Sequence, residues 1–189
     1  MDFLLILFIL AGAAVLGVTA IYNTLVRRRQ LTDNGWADID VQLKRRADLI
    51  PSLVAAVKGY ATHERQLFHD ITERRTAAIA AGDDPVARGA AESALSRPVS
   101  KLIAVAEDYP DLKANENFLE LQRQLSETED KIEMARRFYN GAVRELNTLV
   151  ASFPVNFVAG AFGFATRSYF EINQSDRATP AVDVGTDAQ

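Results

Sequence analysis

No cysteine occurs in this chain. That excludes disulfides, thiolate metal sites and a cysteine nucleophile, but leaves the compartment open, since the absence suits reducing and oxidising spaces alike. Histidine is nearly absent too, with only His63 and His69. A zinc-protease helix needs its two histidines four apart on one face, and six residues turn a helix through about 600°, which points the pair about 120° apart. Glu64, Glu107, Glu129 and Glu133 are the candidate paired carboxylates of a di-metal bundle, yet the Glu-x-x-His spacing of such sites is missing. Neither a glycine-rich phosphate loop nor a nucleophile elbow is found. The sequence therefore nominates no catalytic, cofactor-binding or metal-ligating residue and no cofactor, and it reads as non-enzymatic. A net charge of −4 supplies no basic face for phosphates, so nucleic acid is not an expected partner.

What the chain does have begins at Phe3. The run from Phe3 to Tyr22 is almost unbroken in its apolar character, and Arg27, Arg28 and Arg29 follow it. At about 1.5 Å per residue such a helix is about 30 Å long, the thickness of a bilayer's hydrocarbon core. A cleaved signal peptide is the competing reading, with Val18-Thr19-Ala20 as a small-residue cleavage site. It would want a positive segment before a shorter apolar run, whereas only Asp2 lies there besides the initial Met, so an uncleaved anchor is favoured. The arginines after the span predict a single-pass bacterial inner-membrane protein whose C-terminal part faces the cytoplasm. Lipid is thus the expected partner of residues 3–22. Ala13 and Gly17, small and four apart, raise self-association into a homo-oligomer as a further expectation.

Beyond the anchor the apolar period is that of a helix. Trp36, Ile39, Leu43, Ile50, Leu53, Val57, Tyr60, Leu67 and Ile71 form one seam, interrupted only by Arg46 and Glu64. Phe118, Leu121, Leu125, Thr128, Ile132, Ala135, Tyr139, Ala142, Leu146 and Leu149 form a second. Steps of three and four place each set on one stripe that has to be buried, which predicts an all-α bundle of long helices. Asp33-Asn34-Gly35 is a turn signal, but the surrounding residues suit one continuous helix from Tyr22 to about Ala80, a stalk about 85 Å long. Pro51 predicts a kink in it. Gly82 and Pro85 punctuate the next boundary, and Pro98 predicts a kink or break in the helix from Val86 to Glu107. Asp111 or Asn115 is available to cap the long helix that runs to about Ser152.

Charged residues on the seams need partners. Arg46 and Glu64 would be costly alone in a core, and Asp48, Glu107, Glu129 and Arg136 are the candidates to neutralise them. Setting the register of long helices is the favoured role for such residues, and a ligand or partner site is the other. Phe153 to Phe170 holds five of the ten Phe residues. It reads either as a fourth bundle helix closing the core or as a segment that docks on a membrane or a neighbouring subunit.

The blocks Trp36, Ile39 to Pro51, Leu53-Val54, Val57 to Ala61 and His63-Glu64 closely resemble the LemA family of bacterial membrane-anchored proteins. Glu107 to Asn115, Phe118, Leu121-Gln122, Glu129, Ile132, Arg136, Tyr139-Asn140, Val143, Asn147 and Phe153-Pro154 agree. Ser52 departs from the Asn more usual at its place. The resemblance covers Tyr22 to about Glu171 and implies an N-terminal membrane anchor followed by an up-and-down four-helix bundle with long antiparallel helices. It carries over no catalytic residue. The organisation expected is an anchor over 1–26, a helical bundle over 27–171 and a disordered tail over 172–189. The function expected is that of a membrane-anchored scaffold or interaction protein with an unidentified protein partner. The alternative is a ligand-binding receptor or a non-catalytic subunit of a membrane enzyme complex.

Overall fold

The computed structural model describes residues 2–172, and every regular element among them is a helix. The tail expected over 172–189 lies outside the described residues apart from Ile172. Helix α1 runs from Asp2 to Lys58, α2 from Arg65 to Ala80, α3 from Pro85 to Glu107, α4 from Pro110 to Lys113, α5 from Glu116 to Ala151 and α6 from Val155 to Ala161. Its apolar N-terminal part makes α1 the one helix among the described residues long and apolar enough to cross a membrane. Residues 2–20 are exposed throughout.

Asp33-Asn34-Gly35 does not interrupt α1. Gly35 serves packing instead: a Cβ there would lie 3.1 Å from Tyr139 Cα and 3.0 Å from the Phe138 ring, so its absence lets α1 and α5 approach closely. The two helices are antiparallel, with Gly35 facing Tyr139, Arg28 paired with Glu145, and Arg46 reaching Glu129. Pro51 is likewise inside α1. Having no N–H, it orphans the Ala47 carbonyl one turn back. Arg75 Nε of α2 donates to that oxygen at 2.6 Å.

The single helix expected from Tyr22 to Ala80 is corrected. It stops at Lys58, and Gly59 to Glu64 turn the chain back into α2, with the Tyr60 and Ala61 amides donating to Val57 O at 3.0 and 2.9 Å. A straight continuation would carry Leu67, Phe68 and Ile71 away from other apolar surface. Reversal buries them with Ala61 in a core drawn from α1, α2, α3 and α5. The rod from Tyr22 to Lys58 is therefore about 54 Å long at the usual helical rise, not 85 Å.

Gly82 and Asn115 mark helix ends as expected, and Asp84 adds a cap not among those expected. Gly82 takes φ 70°, Asp84 accepts from the Ala87 amide at 2.8 Å, and Asn115 accepts from the Asn117 and Phe118 amides at 3.0 and 3.2 Å. Helix α3 passes through Pro98 without ending. Pro98 is itself buried there between Leu95 and Val99, and burial of that face outweighs one missing helical bond.

Of the two readings of 153–170, a fourth bundle helix or a docking segment, the first is corrected in its extent. Only Val155 to Ala161 is helical, and the chain then turns at Gly163, φ 71°, into an extended strap that runs along α5 to Ile172. Glycines at 160 and 163 and the Pro154 start favour a short element. Phe164 enters a basal core with Leu25, Val158 and Ala159, while Phe170 is fully buried with Ile39, Leu43, Ile132 and Tyr139. Complete burial of such a side chain stabilises by about 1.5–3 kcal/mol.

Candidate functional site

Two places bring polar or aromatic groups together beyond what packing alone explains. The first is a chain of charges through the middle of the domain. Arg46, on the α1 seam, is 1% exposed, and Glu92 of α3 is 2% exposed. Arg46 Nη1 lies 3.7 Å from Glu92 Oε2, and its Nε lies 3.2 Å from Glu129 Oε1, neither contact being aligned as a hydrogen bond. Its Nη2 donates to Ser96 Oγ at 2.7 Å. Arg88 Nε donates to Glu92 Oε1 at 3.1 Å, and Arg88 Nη2 lies 3.8 Å from Asp40. Lys44 then pairs with the other Asp40 oxygen at 2.6 Å.

Burial lifts the Glu92 carboxyl above its ordinary range, while the Arg46 and Arg88 guanidiniums pull it part of the way back. The chain of charges reaches solvent only at its ends, through Glu129, Asp40 and Lys44. It holds no nucleophile beside a base. What it can do is fix α1, α3 and α5 in one register, because sliding any helix by a turn strands a buried charge.

Of the partners expected for Arg46, Glu129 is the one the fold supplies. Asp48 lies 4.0 Å from Arg75, and Arg136 donates to Ile172 O at 3.4 Å. Glu133 pairs with Arg137 at 3.6 Å, and Glu107 is exposed. Glu64 is half-buried just before α2, not in the core. Arg88, Glu92 and Ser96 were missed. Their signal is the α3 apolar stripe itself: Leu95, Val99 and Leu102 extended backwards by helical steps land on Glu92 and Arg88.

His63 and His69 are exposed, and His69 Nδ1 lies 3.9 Å from Glu73. Among the described residues no three His, Cys, Asp or Glu side chains are placed to hold a metal ion. The groove between α2 and α3 is open and lined by both signs of charge, including Glu64, Asp70, Arg74 and Lys101.

The second place is the strap and the base beneath it. Asn140 and Asn147 hold the strap by its main chain, each in two directions. Asn140 donates to Phe170 O and accepts from Phe170 N, both at 2.9 Å. Asn147 donates to Arg167 O at 2.9 Å and accepts from Arg167 N at 2.8 Å. Tyr139 adds a bond to Ser168 O at 2.9 Å, and burial raises its phenol above the ordinary range. On the other side the strap passes so near Gly89 that an added Cβ would clash with the Glu171 carbonyl. Below, α6 grips Ile21, Leu25 and Val26 of α1, and Tyr22 packs edge-on to Phe162 and Phe164, with ring centroids 5.1 and 5.6 Å away.

The LemA family model matches residues 35–184. The chain is 25% identical over 175 residues to magnetosome protein MamQ 2 of Paramagnetospirillum magneticum, a match covering 79% of this chain and 64% of that protein. It is 26% identical over 164 residues to protein LemA of Metamycoplasma hominis, covering 87% and 73% respectively. Magnetosome protein MamQ of Magnetospirillum gryphiswaldense is 20% identical over 174 residues, covering 79% and 64%. The match thus spans somewhat under two thirds of the magnetosome relatives' length.

Proposed function

Given that the chain belongs to the LemA family, we propose that it is a membrane-anchored, non-enzymatic scaffold that presents a rigid helical head to a protein partner. One observation carries this reading: α1 is a single helix whose first part is long, apolar and unburied and whose last part is the central rod of the head. A head joined to its anchor without a linker is suited to presenting a surface at a fixed height and angle. The distal end of that head, where α1, α2, α3 and α5 share one core, is the part we assign to the four-helix bundle. The charge of Arg27 to Arg29 beside the apolar run supports a head on the cytoplasmic side of a bacterial inner membrane. The MamQ and LemA relatives are compatible with this reading, and their names assign no reaction. A ligand-binding receptor has only the open α2–α3 groove in its favour.

The test is topological and biochemical together. Reporters fused after Gln189, one active only in the cytoplasm and one only outside it, are compared in cells, and membranes are washed with alkaline carbonate. Retention of the full chain in the pellet with only the cytoplasmic reporter active is the expected result. Release by carbonate removes the anchor, and activity of the external reporter reverses the orientation. Crosslinking of the full chain in membranes, followed by affinity capture, then identifies what the head holds.

A further inference from the structure

The base of this domain carries three phenylalanines that are more exposed than buried. Phe153, Phe157 and Phe162 are 79%, 68% and 55% exposed. Helix α6 is apolar on both sides: Val158 and Ala159 face inward onto α1, while Phe157 faces out with Phe153 against it, ring centroids 5.9 Å apart. From Leu146 through Thr166 the chain carries no charge at all. The other large exposed apolar residues of the head are thinner on the ground: Val41, Ile79 and Val86 are on three different helices, and α5 adds Leu119 and the pair Met134 and Phe138. Such scattered residues are normal on a surface, whereas a cluster marks a contact.

The position of the cluster identifies its occupant. Helix α6 packs on Ile21, Leu25 and Val26, and Phe162 meets Tyr22 edge-on. Tyr22 is the last residue of the apolar span. The aromatic base therefore lies at the height where α1 leaves the hydrocarbon core. Seven residues of helix are about 10 Å long, too short to cross a core of about 30 Å. An uncharged helix with Phe on its outer side suits the boundary between headgroups and acyl chains instead. The cations are placed accordingly: Arg29 covers the Phe164 ring at 5.2 Å, and Arg27 and Arg28 adjoin it on the turn above Tyr22.

We propose that Phe153, Phe157 and Phe162 are seated in the lipid of the leaflet from which α1 emerges, a second membrane contact distinct from the transmembrane span. It rests on the membrane-anchor reading above. One consequence is that the head stands on the bilayer at two points, the exit of α1 and the α6 base, so its tilt is fixed as well as its height.

Because the chain has no cysteine, a single introduced thiol carries a nitroxide at one chosen depth. The full chain is reconstituted into vesicles of phosphatidylethanolamine and phosphatidylglycerol as Phe157→Cys, Phe153→Cys, Leu16→Cys and Val41→Cys. Collision of each label with oxygen, which concentrates in lipid, is compared with collision with a water-soluble nickel chelate. The expected result is that labels at 157 and 153 favour oxygen, as the label at 16 does, whereas 41 favours the chelate. Labels at 157 and 153 that behave like 41, with 16 still in lipid, overturn the docking and leave the anchor standing. A label at 16 that behaves like 41 removes both. Labels at 157 shielded from oxygen and chelate alike, with spin–spin broadening, mean that a second copy covers the base, and this also overturns the lipid contact.

Discussion

At the scale of single residues, the domain depends on a few polar groups that have no substitute. Arg46 is the extreme case, a guanidinium inside the core whose charge is balanced by Glu92 and Glu129. Removing one member of a buried set leaves the others uncompensated, so Arg46→Ala is expected to destabilise the full chain by about 3–5 kcal/mol, read by thermal melting in detergent. Glu92 gives a pH signature. Its folded carboxyl titrates above the unfolded one, so its contribution is fully present below the ordinary carboxylate range and is lost as pH rises through the raised folded value. Urea melts across that interval should show stability falling for the parent chain and a flatter profile for Glu92→Gln. Arg75 offers a sharper test, because it serves a carbonyl that Pro51 has orphaned. Arg75→Ala should cost about 1–3 kcal/mol, the penalty for an unsatisfied buried acceptor. In a Pro51→Ala chain, where the helix can satisfy Ala47 itself, the same substitution should cost clearly less. Equal losses in both backgrounds would show that the bond carries no stability.

At the scale of elements, the long stripes were legible because they obey one rule over many residues. The α5 seam is buried at Phe118, Leu125, Thr128, Ile132, Tyr139, Ala142 and Leu146, and the Asn115 cap and the Gly82 turn stand where their chemistry placed them. The end of α1 was not legible. Leu67 and Ile71 remain in phase with Val57 whether the helix continues or doubles back, since periodicity records which face is apolar and not what covers it. The strap was hidden for a related reason: its partners are side-chain amides of α5 reading main chain, and a main chain has no sequence signature. Its spacing has a geometric basis. Asn140 and Asn147 are two helical turns apart, about 10.5 Å, and the residues they hold, Phe170 and Arg167, are three extended residues apart, about 10 Å. Gly89 is the third requirement. Gly89→Ala should expel the strap from α3 and expose Phe170, raising hydrogen exchange at the Arg167 and Phe170 amides while those in mid-α5 stay protected. Unchanged exchange at Arg167 and Phe170 would mean that α3 has room for a side chain beneath the strap.

At the scale of the whole molecule, the absence of a break in α1 between its apolar N-terminal part, the proposed span, and the head has a rotational consequence. An α-helix returns to the same azimuth every eighteen residues, which is five turns. Gly17 is eighteen residues below Gly35, so the two glycines point the same way. Gly35 points at α5, and α5 leads down into α6, which reaches round the rod to Tyr22 and Val26. The face of the span carrying Gly17, with Ala13 one turn further, is thus overhung by the chain's own head. A second copy in the same orientation could not lay its span there without driving its rod into α5 and α6. Leu25, Tyr22 and Val26, from about 80° to 180° round from Gly35, are covered by α6 and Phe162, so any parallel pair has to meet through the remaining face, where Gly12 and Leu16 lie about 100° to 140° round the other way. Single-cysteine chains oxidised in membranes make this visible: disulfide dimers are expected for Gly12→Cys and Leu16→Cys, and none for Gly17→Cys. Dimers formed through position 17 alone would mean that the rod does not hold its phase between bilayer and head. If it does hold, two copies brought together by their spans stand back to back, with both straps and both aromatic bases turned outward.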